Sequence, residues 1–479
     1  MAEPITTHPS PLPSPNEATA LEEITGRADT VWTHGPDAAP KKRATKTDKL
    51  KGPGGRVAVV AGSRTPFVRS GTLFQNMDVT DLAGVATADL IAKTAIDPEE
   101  IELSVFGVVV PSLQAPNLGR EVIFRTSLPM HVTGTTVSLA CASSNRAIAF
   151  GAEAILKGEA DVVLAGGAES LSNVPIRFST EAAHRFMELS KAKSMGDRAA
   201  ILAKLRPKDL APIAPAIAEY TTGLSMGQSA EKMAKENDIS RRAQDEIALM
   251  SHQRAAAAQE DGRFAEQIAV TFPPPEYSEP VSADNGIRID TSMEKLAGLR
   301  PVFDKRYGTL TAGNSSPLTD GAAAVLLMSE KKAKALGYEP LGYLRSFAFA
   351  AVDPSEQLLQ GPAYAAPMAL DAAGVKLSDM DLVEMHEAFA AQILSNLKAF
   401  ASKKFAAHEL GRKAPLGEVD LDRFNVTGGS ISIGHPFGAT GARVTMQLLH
   451  ELKQRGENLG LMTVCAAGGT GFAAVVERE

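Results

Sequence analysis

The chain's 479 residues, 44% of them hydrophobic, suffice for two or three domains with substantial cores. A formal net charge of −7 excludes a nucleic-acid-binding body, which carries a strong basic balance, so small molecules or proteins are the expected partners. No apolar run reaches the roughly 18 residues a spanning helix needs, and the first stretch carries acids and prolines without the apolar core of a secretion signal or the arginine-rich character of a transit peptide.

Residues 1–54 are rich in Pro, Thr and Ala, with Pro9, Pro11, Pro13 and Pro15 in alternation and a basic run over 41–51, and read as a flexible extension. A solvated linker explains the basic run better than a docking arm. Order is expected from a compact strand over 56–62, followed by a turn at 64–67 and a helix from Asp81 capped by Thr80 or Asp78. Further strands are predicted over 105–110 and 161–168. Between them a β-branched and apolar run ends at Cys141, and an alanine-rich helix follows through Ala147, Ala149, Ala152 and Leu156. Continuous apolar strands alternating with helices indicate an α/β domain whose sheet is covered on both faces.

Residues 172–295 break that rhythm and read as an inserted, mainly helical lobe. Its segment 191–208 mixes Met195, Ile201, Leu202 and Leu205 with Lys193, Arg198, Lys204 and Arg206, a pattern that suits peripheral contact with lipid or a partner subunit as well as packing on the lobe itself. The first domain resumes at 309–316 and closes with a strand over 323–328, giving an N-terminal domain of 55–335 and a C-terminal domain of 336–479. The second echoes the first. Residues 379–385 repeat the pattern of 100–105, the strand–turn–helix at Cys141 is matched by 430–435 and a helix to Leu449, and 162–167 is matched by 461–469. This indicates a duplicated domain.

Duplication gives Cys141 and His435 equivalent turns facing each other across a pseudo-twofold axis. Matching strand ends deliver His386 and Cys465 to the same interdomain crevice, where α/β folds bind ligands. Cys141 at the start of a helix is expected to favour the thiolate, although a lone cysteine is also a common core residue. Cys141 and Cys465 are the only cysteines, which suits a reducing, cytoplasmic setting and excludes a disulfide framework. No Cys/His spacing resembles a zinc site. Two thiols and two imidazoles without metal suit acyl transfer: one activated nucleophile, one separate proton carrier, and backbone N–H groups for an oxyanion.

The stretches Cys141-Ala142-Ser143, His386-Glu387-Ala388-Phe389, Gly434-His435-Pro436 and Cys465-Ala466-Ala467-Gly468-Gly469 resemble, in order, the four active-site loops of the thiolases. The likeness runs over 55–479. It is nearest to the β-subunits of fatty-acid oxidation complexes, because His386 stands where most thiolases carry Asn and the lobe is long. The resemblance implies duplicated domains in a five-layered α-β-α-β-α arrangement. It implies acylation of Cys141 by a 3-ketoacyl-CoA, with His435 accepting the thiol proton and Cys465 protonating the departing acetyl-CoA enolate. His386 and His435 would hold the enolate oxygen, His386 directly rather than through a water, and backbone N–H groups of Cys141 and Ala467 the tetrahedral oxyanion. Ser316 and Ala312 fall where the family contacts pantetheine. Ala467 replaces a Gly usual in the family, which is tolerated if its φ is not positive. Coenzyme A is implied as substrate with no cofactor, in a homodimer, a homotetramer, or an α2β2 complex with a hydratase/dehydrogenase subunit. Alternatives are a biosynthetic acetoacetyl-CoA thiolase, a decarboxylating ketoacyl synthase, against which Cys465 argues, and a non-catalytic lipid carrier.

Overall fold

A computed structural model describes residues 50–215 and 217–479. Most of the extension expected over 1–54 therefore lies outside the described residues. Within its last part, Gly52 exchanges backbone hydrogen bonds of 2.9 and 3.1 Å with Gly55. The strands are β1 (Val57–Arg64), β2 (Val68–Arg69), β3 (Leu103–Gly107), β4 (Thr133–Val137), β5 (Val162–Glu169), β6 (Thr319–Ser329), β7 (Gly342–Ala351), β8 (Leu382–Met385), β9 (Leu459–Ala466) and β10 (Thr470–Glu477). The helices that bear on the site are α1 (Val79–Thr94), α2 (Leu118–Phe124), α3 (Ser143–Lys157), α4 (Thr180–Lys191), α5 (Met195–Leu202), α6 (Met226–Glu236), α7 (Arg241–Glu260), α8 (Gly361–Ala373), α9 (Ala390–Ala401), α10 (Ser430–Ile433) and α11 (Thr440–Arg455).

The sheet order is β4-β3-β5-β6-β1-β7-β10-β9-β8, with β2 pairing β6 to one side. It reads as two copies of one pattern. The outer pairs β3/β5 and β8/β9 are parallel, and the inner pairs β5/β6, β6/β1, β9/β10 and β10/β7 are antiparallel. The copies join where Val57, Ala58 and Val59 of β1 pair with β7. The counterpart of β4 in the second copy shrinks to a single parallel bridge between Val383 and Phe424.

Side chains alternating along each strand feed different cores. Val163, Ala165, Val325 and Leu327 face a central core shared with Ala147 and Ile148 of α3 and Val444 and Leu448 of α11. Leu164, Ala324 and Leu326 face α1 and α2. Leu461, Ala473 and Val475 face α8 and α9. Burial on both faces explains why the strands read as unbroken apolar runs, and the layers follow: helices, sheet, the α3/α11 pair, sheet, helices. Helix α1 starts at Val79, two residues before the expected Asp81, and of the two expected caps it is Asp78 that accepts from Thr80 N at 2.7 Å and Asp81 N at 3.0 Å.

Three expectations are corrected. The strand predicted over 105–110 stops at Gly107, because Val109 and Val110 turn their N–H groups to the Glu169 carboxylate at 3.1 and 2.9 Å. The stretch 430–433, matched above to a strand, is the helical turn α10, stabilised where Ile431 N donates to Glu387 Oε2 at 3.1 Å. The inserted lobe is also not one body. Its α4 and α5 are largely exposed, with Met195 77% accessible, whereas α6 and α7 bury Ala230, Met233, Ile247 and Ala248 in the core they share with α9.

Candidate active site

Cys141 sits in the turn between β4 and α3. Ala140 takes a left-handed φ of 45° to make that turn. Ser143 stitches it, accepting from Leu139 N at 2.8 Å and donating to Ala140 O at 2.7 Å. His435 occupies the matching turn before α11, entered through Gly434 at φ 116°. A Cβ at Gly434 would lie 2.7 Å from the Thr319 methyl, so glycine is required there. His386 follows β8 and stays on the sheet by donating its N–H to Thr463 O at 2.9 Å. Cys465 lies in β9 opposite Gly471, fully buried.

These elements converge. Cys141 Sγ and one ring nitrogen each of His386 and His435 lie within 4.8 Å of one another, and the two rings are 4.1 Å apart, centroid to centroid. Each Nδ1 is engaged: His386 with Ser430 Oγ at 2.9 Å, His435 with Thr440 Oγ1 at 2.6 Å. Each Nε2 is buried with no hydrogen-bond partner among the described residues. Two buried, unpartnered imidazole nitrogens beside a thiol are free to bond a polar group. The trio contains metal-ligand types too, but a held thiol proton beside open imidazole nitrogens suits proton transfer.

Burial sets the charge state. The Cys141 thiol is pushed up to about 12, first by desolvation and further by the Glu169 carboxylate, against the pull of the Ala467 and Cys141 backbone N–H groups. His435 is lowered to about 3 by desolvation and by Arg443. His386 falls well below the usual imidazole range through desolvation, His435 and Arg443. Cys465 rises well above the usual thiol range through desolvation and its proximity to Cys141. The expectation that the helix start favours a thiolate is therefore reversed at rest: loss of water outweighs the few N–H dipoles. Thiols and imidazoles rest neutral, and charge arises only as a proton moves.

Ala467 begins the turn from β9 to β10. The left-handed positions are taken by Gly468 at φ 77° and Gly469 at φ 67°, and Ala467 is not among the positive-φ residues, which meets the condition for replacing glycine.

Ser316 N donates to Ala388 O at 3.0 Å, and Leu318 bridges to His435, so the segment 315–318 passes directly by the site. Ser316 and Ala312 line a cavity of about 400 Å³ together with Arg69, Arg288 and Ile431. Desolvation and then repulsion from Arg288 lower the Arg69 guanidinium. The two arginines share this lining with Lys295 and with Asp290, whose carboxyl is lowered first by Lys295 and in part by Arg288. Nothing in the sequence marks this pair, because two isolated arginines more than 200 positions apart carry no periodic or motif signal. Glu169 and Glu387 were missed as well. Glu169 gathers Val109, Val110 and Gly438 N–H groups at 2.9–3.1 Å, tying the two halves together beside Cys141. Glu387 accepts from Ser251 Oγ, Asn425 Nδ2 and Ile431 N and so fixes the loop after His386.

Comparison with known proteins places this geometry. Residues 57–331 match the family model described as the thiolase N-terminal domain, and residues 338–478 the thiolase C-terminal domain. The chain is 53% identical over 424 residues to a 3-ketoacyl-CoA thiolase of Pectobacterium carotovorum subsp. carotovorum (strain PC1), covering 88% of this chain and 97% of that protein. In structure it resembles human mitochondrial 3-ketoacyl-CoA thiolase, with a TM-score of 0.75 at 32% identity over 90% of this chain and 100% of that one. A Bacillus anthracis acetyl-CoA acetyltransferase gives the same TM-score of 0.75 at 32% identity, over 88% of this chain and 98% of that one.

Proposed function

Given that the chain belongs to the thiolase family, we propose that it is an acyltransferase that cleaves 3-ketoacyl-CoA with coenzyme A, releasing acetyl-CoA and a shortened acyl-CoA in fatty-acid β-oxidation. The observation that carries this is the pair of unpartnered Nε2 atoms on His386 and His435 beside Cys141, with Cys465 buried next to it.

Cys141 gives its proton to His435 as Sγ bonds to the ketone carbon of the substrate. The alkoxide rests on the Cys141 and Ala467 N–H groups. Its collapse breaks the bond to the acetyl carbon, and acetyl-CoA departs as an enolate whose oxygen is held by His386 and protonated His435. Cys465 delivers a proton to the enolate carbon. The incoming CoA thiol returns a proton to Cys465, attacks the acyl-Cys141 thioester, and frees Cys141, which recovers its proton from His435. Neutral resting groups favour this sequence, because each charge develops where a donor already waits.

The substrate is read into the 400 Å³ cavity, with pantetheine along Ala312 and Ser316 and phosphate on Arg69 and Arg288. Coenzyme A is thus a substrate, and no cofactor is required. We assign 55–335 and 336–479 as the two domains and place the enzyme in the cytoplasm, where Cys141 and Cys465 stay as free thiols. It would act as a homodimer or homotetramer, or with a hydratase/dehydrogenase α-subunit in an α2β2 assembly, with exposed α5 available for peripheral membrane contact.

The test mixes purified protein with a long-chain 3-ketoacyl-CoA and CoA and follows acetyl-CoA release. Cys141→Ser and Cys465→Ser should each lose activity by more than about 10²-fold, and only Cys465→Ser should still trap an acyl group on Cys141. Unchanged turnover in either variant would sink the mechanism.

A further inference from the structure

The two imidazoles of the site are chemically alike and have been given unlike partners. Thr440 Oγ1 carries one proton. It lies 3.0 Å from Pro436 O, to which it donates, and 2.6 Å from His435 Nδ1. With its proton on the carbonyl, Oγ1 accepts from an Nδ1–H, and His435 presents a bare Nε2 lone pair. Pro436 O also accepts from Ala439 N and Thr440 N at 3.0 and 3.1 Å, so the hydroxyl shares that carbonyl with two N–H groups, and the reverse assignment leaves the two oxygens 3.0 Å apart with no proton between them. Ser430 Oγ stands in the opposite situation. The Arg443 guanidinium, which has protons and no lone pair to offer, donates to it from Nη2 at 2.9 Å. The hydroxyl proton of Ser430 then has one acceptor within reach among the described residues, His386 Nδ1 at 2.9 Å. Were Nδ1 protonated instead, Ser430 would accept twice and bury an unpaired O–H, an avoidable cost.

We infer that Ser430, held by Arg443, is a positioning residue that fixes His386 in the Nε2–H tautomer, opposite to the tautomer Thr440 imposes on His435. One ring is thereby a built-in donor to an oxyanion and the other a built-in proton acceptor. Two neutral rings 4.1 Å apart are kept from competing for one role. Arg443 is buried at 1% exposure, anchored at Nη1 by Gln447 Oε1 at 3.2 Å, and its charge helps keep both rings neutral. The catalytic meaning of the tautomers rests on the reaction proposed above, but the tautomers themselves do not.

The experiment is neutron diffraction from deuterium-exchanged crystals of the full chain without substrate, paired with kinetics of Ser430→Ala and Ser430→Thr. Deuterium is expected on His386 Nε2 and on Ser430 Oγ toward His386 Nδ1, with His435 Nε2 bare. Ser430→Ala should lower kcat about tenfold, a fraction of the 10²–10³ attached to a whole oxyanion donor, with KM within about twofold. Ser430→Thr, which restores the hydroxyl, should recover most of that loss. Deuterium on His386 Nδ1 with Nε2 bare overturns the assignment, even if neither variant folds. An alanine variant that loses KM and kcat together, unrescued by threonine, also overturns it. If the deuterium positions are as stated and no thiolysis occurs, the tautomer assignment stands and the reaction proposed above falls.

Discussion

The turn that carries Cys141 and the turn that carries His435 occupy the same place in two halves of one fold, yet they are built differently. Both are entered through a residue of positive φ, Ala140 at 45° and Gly434 at 116°. Both lead into a helix with no side-chain cap, α3 after Ala142 and α11 after Ala439. They differ in their approach. Regular strand β4 leads to Cys141, whereas the helical turn α10 leads to His435. That exchange has a use, because α10 presents Ser430 to His386 and Ile431 N to Glu387, contacts that a strand in its place would not bring together. Duplication has kept the turn and the helix start, and the second half has altered the approach to hold the histidines.

The two turns differ most at Gly434. Alanine there would meet the Thr319 methyl at 2.7 Å in a backbone conformation that L side chains rarely adopt. Gly434→Ala is expected to destabilise the fold by about 4 kcal/mol and to displace His435, read by urea unfolding and by acyl transfer. Ala140, at φ 45°, is a position alanine already occupies, whereas the φ 116°, ψ 169° of Gly434 is open essentially to glycine alone, so the two positions should not respond alike.

Glu169 joins the two halves. Its carboxyl is raised from 4.5 to about 7, first by desolvation, with repulsion from Asp320 adding to it and three N–H groups opposing. The folded protein therefore holds that proton more tightly than the unfolded chain. The resulting stability is full below about 4.5 and is lost as pH rises through about 7, about 3 kcal/mol in all. Urea unfolding of Glu169→Gln between pH 4 and 8 should lack that slope. An unchanged slope would assign it to other groups. By contrast, Cys141 near 12 and His435 near 3 leave both neutral across this range, so their titration should add no inflection to the rate.

How much of this was legible in the sequence depends on whether a feature is local. The strands, the Asp78 cap and the four motif residues are local: short apolar runs, one acidic residue before a helix, and two cysteines in 479 residues. The features that escaped are set by distant partners. Ser430-Ile431-Ser432-Ile433 alternates like a strand and folds as a helix because Glu387, from another loop, takes its N–H. Val109 and Val110 look like strand and leave the sheet because Glu169 captures both of their donors. The sign of the Cys141 shift followed the same rule, since the helix start is visible in sequence and the burial that overrides it is not.

Ser143 and Ala140 set the fine scale of the Cys141 turn. Ser143→Ala removes the acceptor for Leu139 N and the donor to Ala140 O, and should cost about 1–2 kcal/mol of stability together with a fall in acylation rate, measurable as the burst of acetyl-CoA. Ala140→Gly is the smallest and most discriminating change. Relief of the left-handed strain, about 1 kcal/mol, is offset by the extra freedom glycine gives the unfolded chain, about 0.5–1 kcal/mol. Stability should therefore stay within about 0.5 kcal/mol, while a freer turn lets Cys141 leave the range of His435 and lowers kcat several-fold. If stability instead rises by the full strain with kcat unchanged, the left-handed alanine is a residue of folding history. In that case the rigidity of the Cys141 turn comes from Ser143 alone.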